Sequence, residues 1–391
     1  MKKKIVLINA RNLSVNGGDK LLSYSLLKLL SEIAEVVYIN IIDETIDEKN
    51  YMAAIQSYAS EAYILQDELA TGKKAMLKAL LSTKPYFISR RKYKNKISSE
   101  VARIINTCSP DVILWDHIRT TAYFKPTLLE NKQAKHWLLQ HNNETFIYKQ
   151  KIDKIKSRLL KLVARSQVYN LYNYTKKLSS NINKCLYLTA NDVEDVFANK
   201  YYTFQHVYID VDCKYVDKNI NINKSQINLL FVGALDWYPN YDGIVWFYQN
   251  VFKALPESYR LFIIGRNASV IESVVCNNPR VVVKSNVPDL VEYYNNADIF
   301  IAPILNGSGI NVKIGEAASY GKMIVGTSYS FRGYGNQHPF IVADDANSFL
   351  IALQHAKIKI ANQHIQNDII EWYQKYKQAS ISEWQKLLSN T

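Results

Sequence analysis

The chain is poor in cysteine. Cys108, Cys185, Cys213 and Cys276 are its only four among 391 residues, and they lie far apart. No pair has metal-ligand spacing or a close partner, which argues against a disulfide scaffold or a zinc site and predicts reduced thiols in a cytoplasmic protein. A run of about eighteen apolar residues is also missing, so no membrane-crossing helix is expected. The opening MKKKIVLINA joins a basic head to an apolar run, but that run stops at Asn9-Ala10-Arg11. It is too short for a secretory core, and Lys4 to Ala10 reads as a first strand. Internal repeats and low-complexity segments are absent.

Acidic residues are scarce in one half only. Met1 to Tyr208 holds 32 Lys and Arg against 19 Asp and Glu, whereas Ile209 to Thr391 holds 16 of each, so the whole excess of +13 lies in the first half. Lys84 to Arg103 and Lys149 to Lys184 are its densest stretches. A basic half suits an acidic partner surface. Anionic lipid headgroups are one such surface, at about 1 kcal/mol per well-placed cation. Nucleic acid is another, although no recognition motif accompanies the basic runs, so no specific nucleic acid is expected. A solvated lysine-rich face accounts for the charge equally well.

What is present points to a two-domain α/β protein. Hydrophobic residues at 48% and charged at 21% describe a globular chain long enough for two cores. Strand, loop and helix alternate from the start: Lys4 to Ala10, the Asn16-Gly17-Gly18 turn, a helix over Asp19 to Ile33, a strand over Val36 to Ile42. The section Asp43 to Arg103 reads as mostly helical, best at Ala75 to Leu81 and Ile97 to Ile105. Strands follow at Val112 to Trp115, His136 to Leu139 and Cys185 to Leu188. A basic helix is expected from about Lys149 to Leu178, and another from Asn191, with Asn191 and Glu194 as a capping pair. After the linker-like Asp217 to Gln226 the pattern restarts. It runs through a strand over Ile227 to Val232, a helix from Asn240 to Leu255, and a strand over Leu261 to Ile264. Two helices close the chain, at Ala346 to Ala356 and Asn367 to Leu388. The implied domains are 1–208, 209–366 and a terminal helix, 367–391.

The stretch Ala302 to Thr327, APILNGSGINVKIGEAASYGKMIVGT, carries the chemistry. It reads as a buried strand (Ile299 to Pro303), a small-residue loop, a helix from Ile310 to Tyr320 and a second buried strand. The loop brings backbone N–H groups and a positive helix end to one point, which suits a diphosphate. Lys313 adds a full charge on the first turn. Glu316, three residues on, is its neighbour on the helix surface. A carboxylate repels phosphate but accepts well from a pair of ribose hydroxyls. Together these residues describe a nucleotide cradle.

The pattern Gly-x-Gly-x-x-x-Lys-x-x-Glu-Ala-x-x-x-Gly-Lys resembles the donor motif of the retaining GT-B glycosyltransferases, family four, strongly over Leu229 to Gly335 and more weakly elsewhere. The resemblance implies two doubly wound Rossmann-like domains facing across a cleft, with the last helix crossing back to the first domain. Trp372, Tyr373, Tyr376 and Trp384 are candidates for its packing face. It implies a nucleotide-sugar as substrate, held by Gly233, Arg266, Ser308, Gly309, Ile310, Asn311, Lys313 and Glu316. It implies no metal, since helix dipoles and cations serve in its place. Lys313 and Glu316, with His117 at the end of its strand, are the implied catalytic set. Gly17, Gly18, His141, Asn142 and Glu144 are the implied acceptor or cleft residues. One departure stands out: the earlier of two family glutamates falls at Ser308. That departure keeps a second reading open, a GT-like binding or partner subunit without transferase activity.

Other positions carry local expectations. Arg266, leaving the sheet at a strand end, is a candidate second cation beside Lys313. Asn240 is expected to cap its helix. The Tyr329 to Gly335 segment, with Arg332, is expected to be a mobile loop that closes over the donor. The resemblance further implies a carbohydrate or lipid-linked acceptor, surface polysaccharide as product and a peripheral place at the inner face of the membrane. A nucleotide-sugar epimerase shares the architecture, but the acidic groups it needs around the sugar carbon are not identifiable.

Overall fold

The computed structural model describes residues 2–10, 18–43, 48–72, 75, 82–153, 155–210, 226–362 and 364–391. These divide into two compact units, Met1–Tyr208 with Ser380–Thr391, and Ile209–Ala379.

The first unit is built on apolar runs. β1 (Lys4–Asn9, KIVLIN) and β4 (Val112–Asp116, VILWD) are buried almost throughout, as strands covered on both faces must be. With β2 (Glu35–Ile42), β3 (Glu61–Gln66), β5 (Lys135–Gln140), β6 (Lys184–Tyr187) and β7 (Tyr201–Thr203) they form a sheet of order β3-β2-β1-β4-β5-β6-β7. Every pairing is parallel. The helices are α1 (Gly18–Ile33), α2 (Glu48–Gln56), α3 (Lys94–Cys108), α4 (Glu144–Asp153) and α5 (Arg158–Ser179). In α3, Ile97, Val101, Ile104 and Ile105 recur at helical spacing and pack into the same core as Ile39, Ile113 and Trp115.

Several local expectations change here. The section Asp43 to Arg103 was expected to be mostly helical, but Glu61–Gln66 is β3, because pairing along β2 supplies the ladder that its short apolar run does not announce. Ala75 to Leu81 lies almost wholly outside the described residues. The expected long basic helix is two, α4 and α5, and Ser157 caps the second by accepting from the Leu160 N–H at 3.4 Å. No α-helix starts at Asn191. Two short 3-10 turns stand there instead, and the Glu194 carboxylate accepts from Gln140 and Thr145 rather than folding back as a cap.

In the second unit, β8 (Ile227–Val232), β9 (Tyr259–Gly265), β10 (Val281–Ser285), β11 (Ile299–Ala302), β12 (Met323–Gly326) and β13 (Ile341–Val342) form a parallel sheet of order β10-β9-β8-β11-β12-β13. Its helices include α6 (Tyr238–Asn250), α7 (Val312–Ser319) and α8 (Ala346–Ile360). α8 has the capping box its sequence allows, with Asp345 and Ser348 bonding reciprocally. α6 passes so close to the end of β11 that a Cβ on Gly243 would lie 2.2 Å from the Pro303 carbonyl oxygen. The Asn240 to Leu255 helix begins earlier, at Tyr238, and ends in a 3-10 turn at Phe252–Ala254.

The last helix, α9 (Ile365–Ser389), belongs to both units. Tyr373 and Tyr376 are buried in the second, where their hydroxyls bond the carbonyls of Ile209 (2.6 Å) and Gly333 (2.7 Å). Trp372 bonds the Gln337 carbonyl in the same unit at 2.9 Å. Only Trp384, of the four aromatic residues expected to face the first domain, packs in the first unit, stacked 4.8 Å from Phe204. Beside it Glu383 accepts from Tyr202 and from the backbone of Gln205 and His206.

Candidate active-site clusters

Each sheet reverses its strand order once, between β1 and β4 and between β8 and β11. Open parallel sheets bind ligands outside the carboxyl ends of the strands at such a reversal. Both reversals carry a polar cluster.

In the second unit, the loop after β11 and the first turn of α7 supply the first pieces. Gly307 (φ 125°) and Gly309 (φ 79°) take backbone conformations that side chains disfavour, so this turn depends on glycine. Lys313 on the first turn of α7 lies with its ammonium 4.4 Å from the centre of the Phe231 ring. It donates to Asn240 Oδ1 at 2.7 Å, and Asn240 Nδ2 donates to the Ala234 carbonyl at 2.9 Å. A Cβ on Gly233 would come within 2.9 Å of both side chains, so the ammonium rests against bare backbone at the end of β8. Burial pushes the Lys313 amine down to about 7, with Glu316 opposing the shift. Burial pushes the Glu316 carboxyl up to about 7, opposed by the Tyr294 hydroxyl and by Lys313. Both side chains are half-buried neighbours on one helix, so their charges respond to what binds beside them.

The loop that follows β12 reaches the same turn. Tyr329 bonds the Gly307 carbonyl, and Arg332, stacked 3.6 Å from the Tyr329 ring, donates to the Gly309 carbonyl at 3.3 Å. The Tyr334 hydroxyl donates to the Asn311 carbonyl (2.9 Å) and accepts from the Gly315 N–H (3.1 Å). Asn311 in turn donates to the Ser330 carbonyl at 3.0 Å. Tyr329 to Gly335 thus lies against the glycine turn, with Tyr329, Arg332 and Tyr334 bonded to that turn's carbonyls. Ser308, Ile310 and Asn311 are half-buried on the turn so held.

One further expectation changes. Asn240 does not cap α6: Trp237 is the N-cap, and the Asn240 amide is drawn to Lys313 instead. Arg266 stands at the end of β9 as expected but forms a two-point ion pair with Asp236, at 3.1 and 3.2 Å, and is 63% exposed. Asp236 leaves the adjacent strand end on the same side, so the pair is an exposed one.

The first unit's cluster centres on Asp116, buried at the end of β4. Its carboxylate accepts from Asn9 (2.6 Å) and Ser23 (2.6 Å) and meets His141 Nε2 at 2.5 Å. Burial alone would raise its pKa, but His141, Ser23 and Asn9 together hold it below the usual carboxylate range. His117 follows with φ 73°, its Nδ1 accepting from the Arg119 N–H (3.3 Å) and its Nε2 2.9 Å from Glu144 Oε1. Burial pushes His117 down to about 4 despite Glu144, so the ring is neutral at pH 7, with its proton on Nε2 and directed to Glu144. Both ring nitrogens of His117 are thus engaged in this structure. The His117 and His141 rings meet edge to face, 5.6 Å apart. Asn142 is half-buried beside them. Gly18 opens α1, while Gly17 lies outside the described residues.

Asn240, Phe231, Tyr294, Asp116, Asn9 and Ser23 were not singled out as site residues from the sequence. Their partners are distant in the chain, and the only local signal is a polar residue ending a buried strand, as at Asn9 and Asp116. The chain also contains an Asp-x-Asp, Asp210-Val211-Asp212. Asp210 is ion-paired with Lys377 at 2.8 Å, and Asp212 lies outside the described residues.

Residues 226–358 match the family model for glycosyl transferases group 1. That stretch, about a third of the chain, is similar to a group 1 glycosyltransferase domain. It holds Gly233, Asn240, Arg266, the Gly307–Asn311 turn, Lys313 and Glu316 together. An uncharacterized 44.6 kDa protein in the cps region of Klebsiella pneumoniae is 24% identical over 248 residues, 59% of this chain and 62% of that protein, so the match spans less than two thirds of it. WaaG, a glycosyltransferase involved in lipopolysaccharide biosynthesis, shares the fold at a TM-score of 0.60 and 13% identity, over 99% of this chain and 100% of that one. HepE of Anabaena, solved with UDP and glucose, does so at 0.60 and 10% identity, over the full length of both. The two units are thus the two Rossmann-like halves of a GT-B fold.

Proposed function

We propose that this protein is a metal-independent retaining glycosyltransferase. It moves a sugar from a nucleoside-diphosphate donor to an acceptor hydroxyl, in surface polysaccharide or glycoconjugate assembly. The carrying observation is Lys313 on the first turn of α7, its ammonium against the Gly233 backbone and bonded to Asn240, with Glu316 three residues on along the same helix. In this reading the ammonium and the turn's amides take the diphosphate. Glu316 accepts from the ribose hydroxyls, and Gly233 lets the ligand approach the backbone. The departing diphosphate takes the acceptor's proton on the same face of the sugar, so no protein base is required. His117, neutral and with its Nε2–H already given to Glu144, acts in this reading by positioning that carboxylate and not as a base. HepE, solved with UDP and glucose, supports a uridine donor as the first to try. WaaG's involvement in lipopolysaccharide biosynthesis supports a glycan acceptor, free or lipid-linked; work at the inner membrane face belongs to the same proposal and rests on the excess of positive charge in the first half.

A ligand that binds the folded form raises its melting temperature by mass action. Uridine, guanosine and adenosine diphosphate sugars are therefore screened by thermal shift, and the best is followed by product analysis. One donor is expected to raise the melting temperature, and Glu316→Ala is expected to abolish that rise. No shift with any donor, or full transfer by Glu316→Ala, overturns the proposal. Ser308, standing where the family has a glutamate, favours the second reading of a non-catalytic subunit. Donor binding with neither hydrolysis nor transfer would support it.

A further inference from the structure

The exposed face of α5 has a composition that the transfer reaction does not use. Arg158, Leu162, Arg165, Tyr169, Tyr172 and Lys176 recur at three- and four-residue steps, which places them on one stripe of the helix. All six are exposed, Leu162 and Tyr169 each at 66%. No acidic residue occurs anywhere between Asp153 and Asp192. The opposite side of the helix is ordinary core, with Leu171 and Leu178 buried. The helix is thus anchored by one face and presents basic, leucine and tyrosine side chains together on the other.

The neighbouring surface has the same sign. Asn170 of α5 donates to the Ser82 carbonyl at 3.0 Å, which fixes the helix beside the segment that leads to Lys84. Lys84 and Lys125 crowd Lys94 at the start of α3; burial first, then these two like charges, push the Lys94 amine down to about 8. Ammonium groups gathered this way are relieved by an anion between or above them.

We propose that this face of the first unit, centred on the α5 stripe, docks on a bilayer surface carrying anionic headgroups. It deepens the peripheral part of the preceding reading and is independent of the transfer reaction. Charge complementarity selects an acidic surface, and the interleaved apolar side chains select a bilayer. Leucine offers no donor to a phosphate and no π face to a base, yet it partitions below headgroups. Tyrosine suits the boundary, with an apolar ring and a polar tip. The arrangement is that of a helix lying in the interface plane, held by lysine and arginine above and apolar side chains below.

The test is cosedimentation of the full chain with vesicles of phosphatidylcholine alone or with phosphatidylglycerol added, at low and high salt. Wild type is expected to sediment with the anionic vesicles only, and less at high salt. Leu162→Ser with Tyr169→Ser, and separately Arg165→Glu with Lys176→Glu, are expected to reduce the bound fraction about tenfold or more. Thermal melts and donor-induced melting shifts of these variants should match wild type, which separates failed docking from failed folding or failed donor binding. Lys253→Glu with Lys284→Glu, an equal charge change in the second unit, is expected to keep binding. Equal loss in that control reduces the effect to net charge and overturns the proposal. So does undiminished binding by both stripe variants, no binding by wild type, or preferential capture by a single-stranded oligonucleotide that displaces the vesicles.

Discussion

Lys313 shows how a single side chain takes its chemistry from its surroundings. A lysine in water keeps its proton well above neutrality. Here burial against Phe231 and Gly233 pushes the amine down to about 7. A diphosphate needs the charged amine, which in the free protein is the majority form below about pH 7 and is lost as pH rises above it. Donor affinity is expected to weaken steadily from pH 7 to pH 9, with a proton taken up on binding. Calorimetry in two buffers of different ionisation enthalpy measures both effects. Lys313→Met removes a charge-assisted hydrogen bond, of about 1.5–3 kcal/mol, and should cost about ten- to a hundredfold in affinity. It should also flatten the pH profile; an unchanged slope would show that another group titrates. Lys313 and Glu316 were legible from their spacing on one helix. Asn240 was not, because an asparagine near a helix start reads as a cap, and the lysine that claims it is 73 residues away in sequence.

At the scale of elements, close packing of backbone fixes where α6 and the strand ends lie. The space at Gly243 is filled by the Pro303 carbonyl, at 2.2 Å from any added Cβ. Gly243→Ala is therefore expected to destabilise by about 1–3 kcal/mol, through displacement of α6 from the end of β11. A denaturant or thermal melt checks this, and a melting temperature equal to wild type would mean that the helix moves without cost. Short but largely apolar strands such as β1, β4 and β11 were legible because their burial on both faces demands that composition. β3 was not, since its ladder with β2 is a long-range pairing that compensates weak local preference. The break between α4 and α5 was missed for the opposite reason: a continuous basic, helix-prone stretch conceals a short non-helical joint at Ser157.

For the whole molecule, α9 matters most. Its first part, through Ala379, belongs to the second unit, while Ser380–Thr391 completes the first. Trp384, Leu387 and Leu388 are buried there. A chain ending at Ala379 should lose on the order of 5 kcal/mol from the first unit, at about 1.5–3 kcal/mol for each large apolar side chain exposed. Limited proteolysis should then cut the first unit sooner, while the second keeps its protection. Equal protection of both units would show that the terminal turns contribute little.

The alternation of apolar strands with helices, and the ordered set of glycine turn, lysine and glutamate, were properties of the chain by itself. They depend on periodicity and near spacing, which a linear sequence preserves. The tertiary structure alone decided which side chains meet. Arg266 met Asp236, Asn240 met Lys313, Glu144 met His117, and Tyr329 to Tyr334 closed behind the glycine turn. Each of these depends on strand ends brought together by parallel pairing, and distance along the chain carries no record of that proximity.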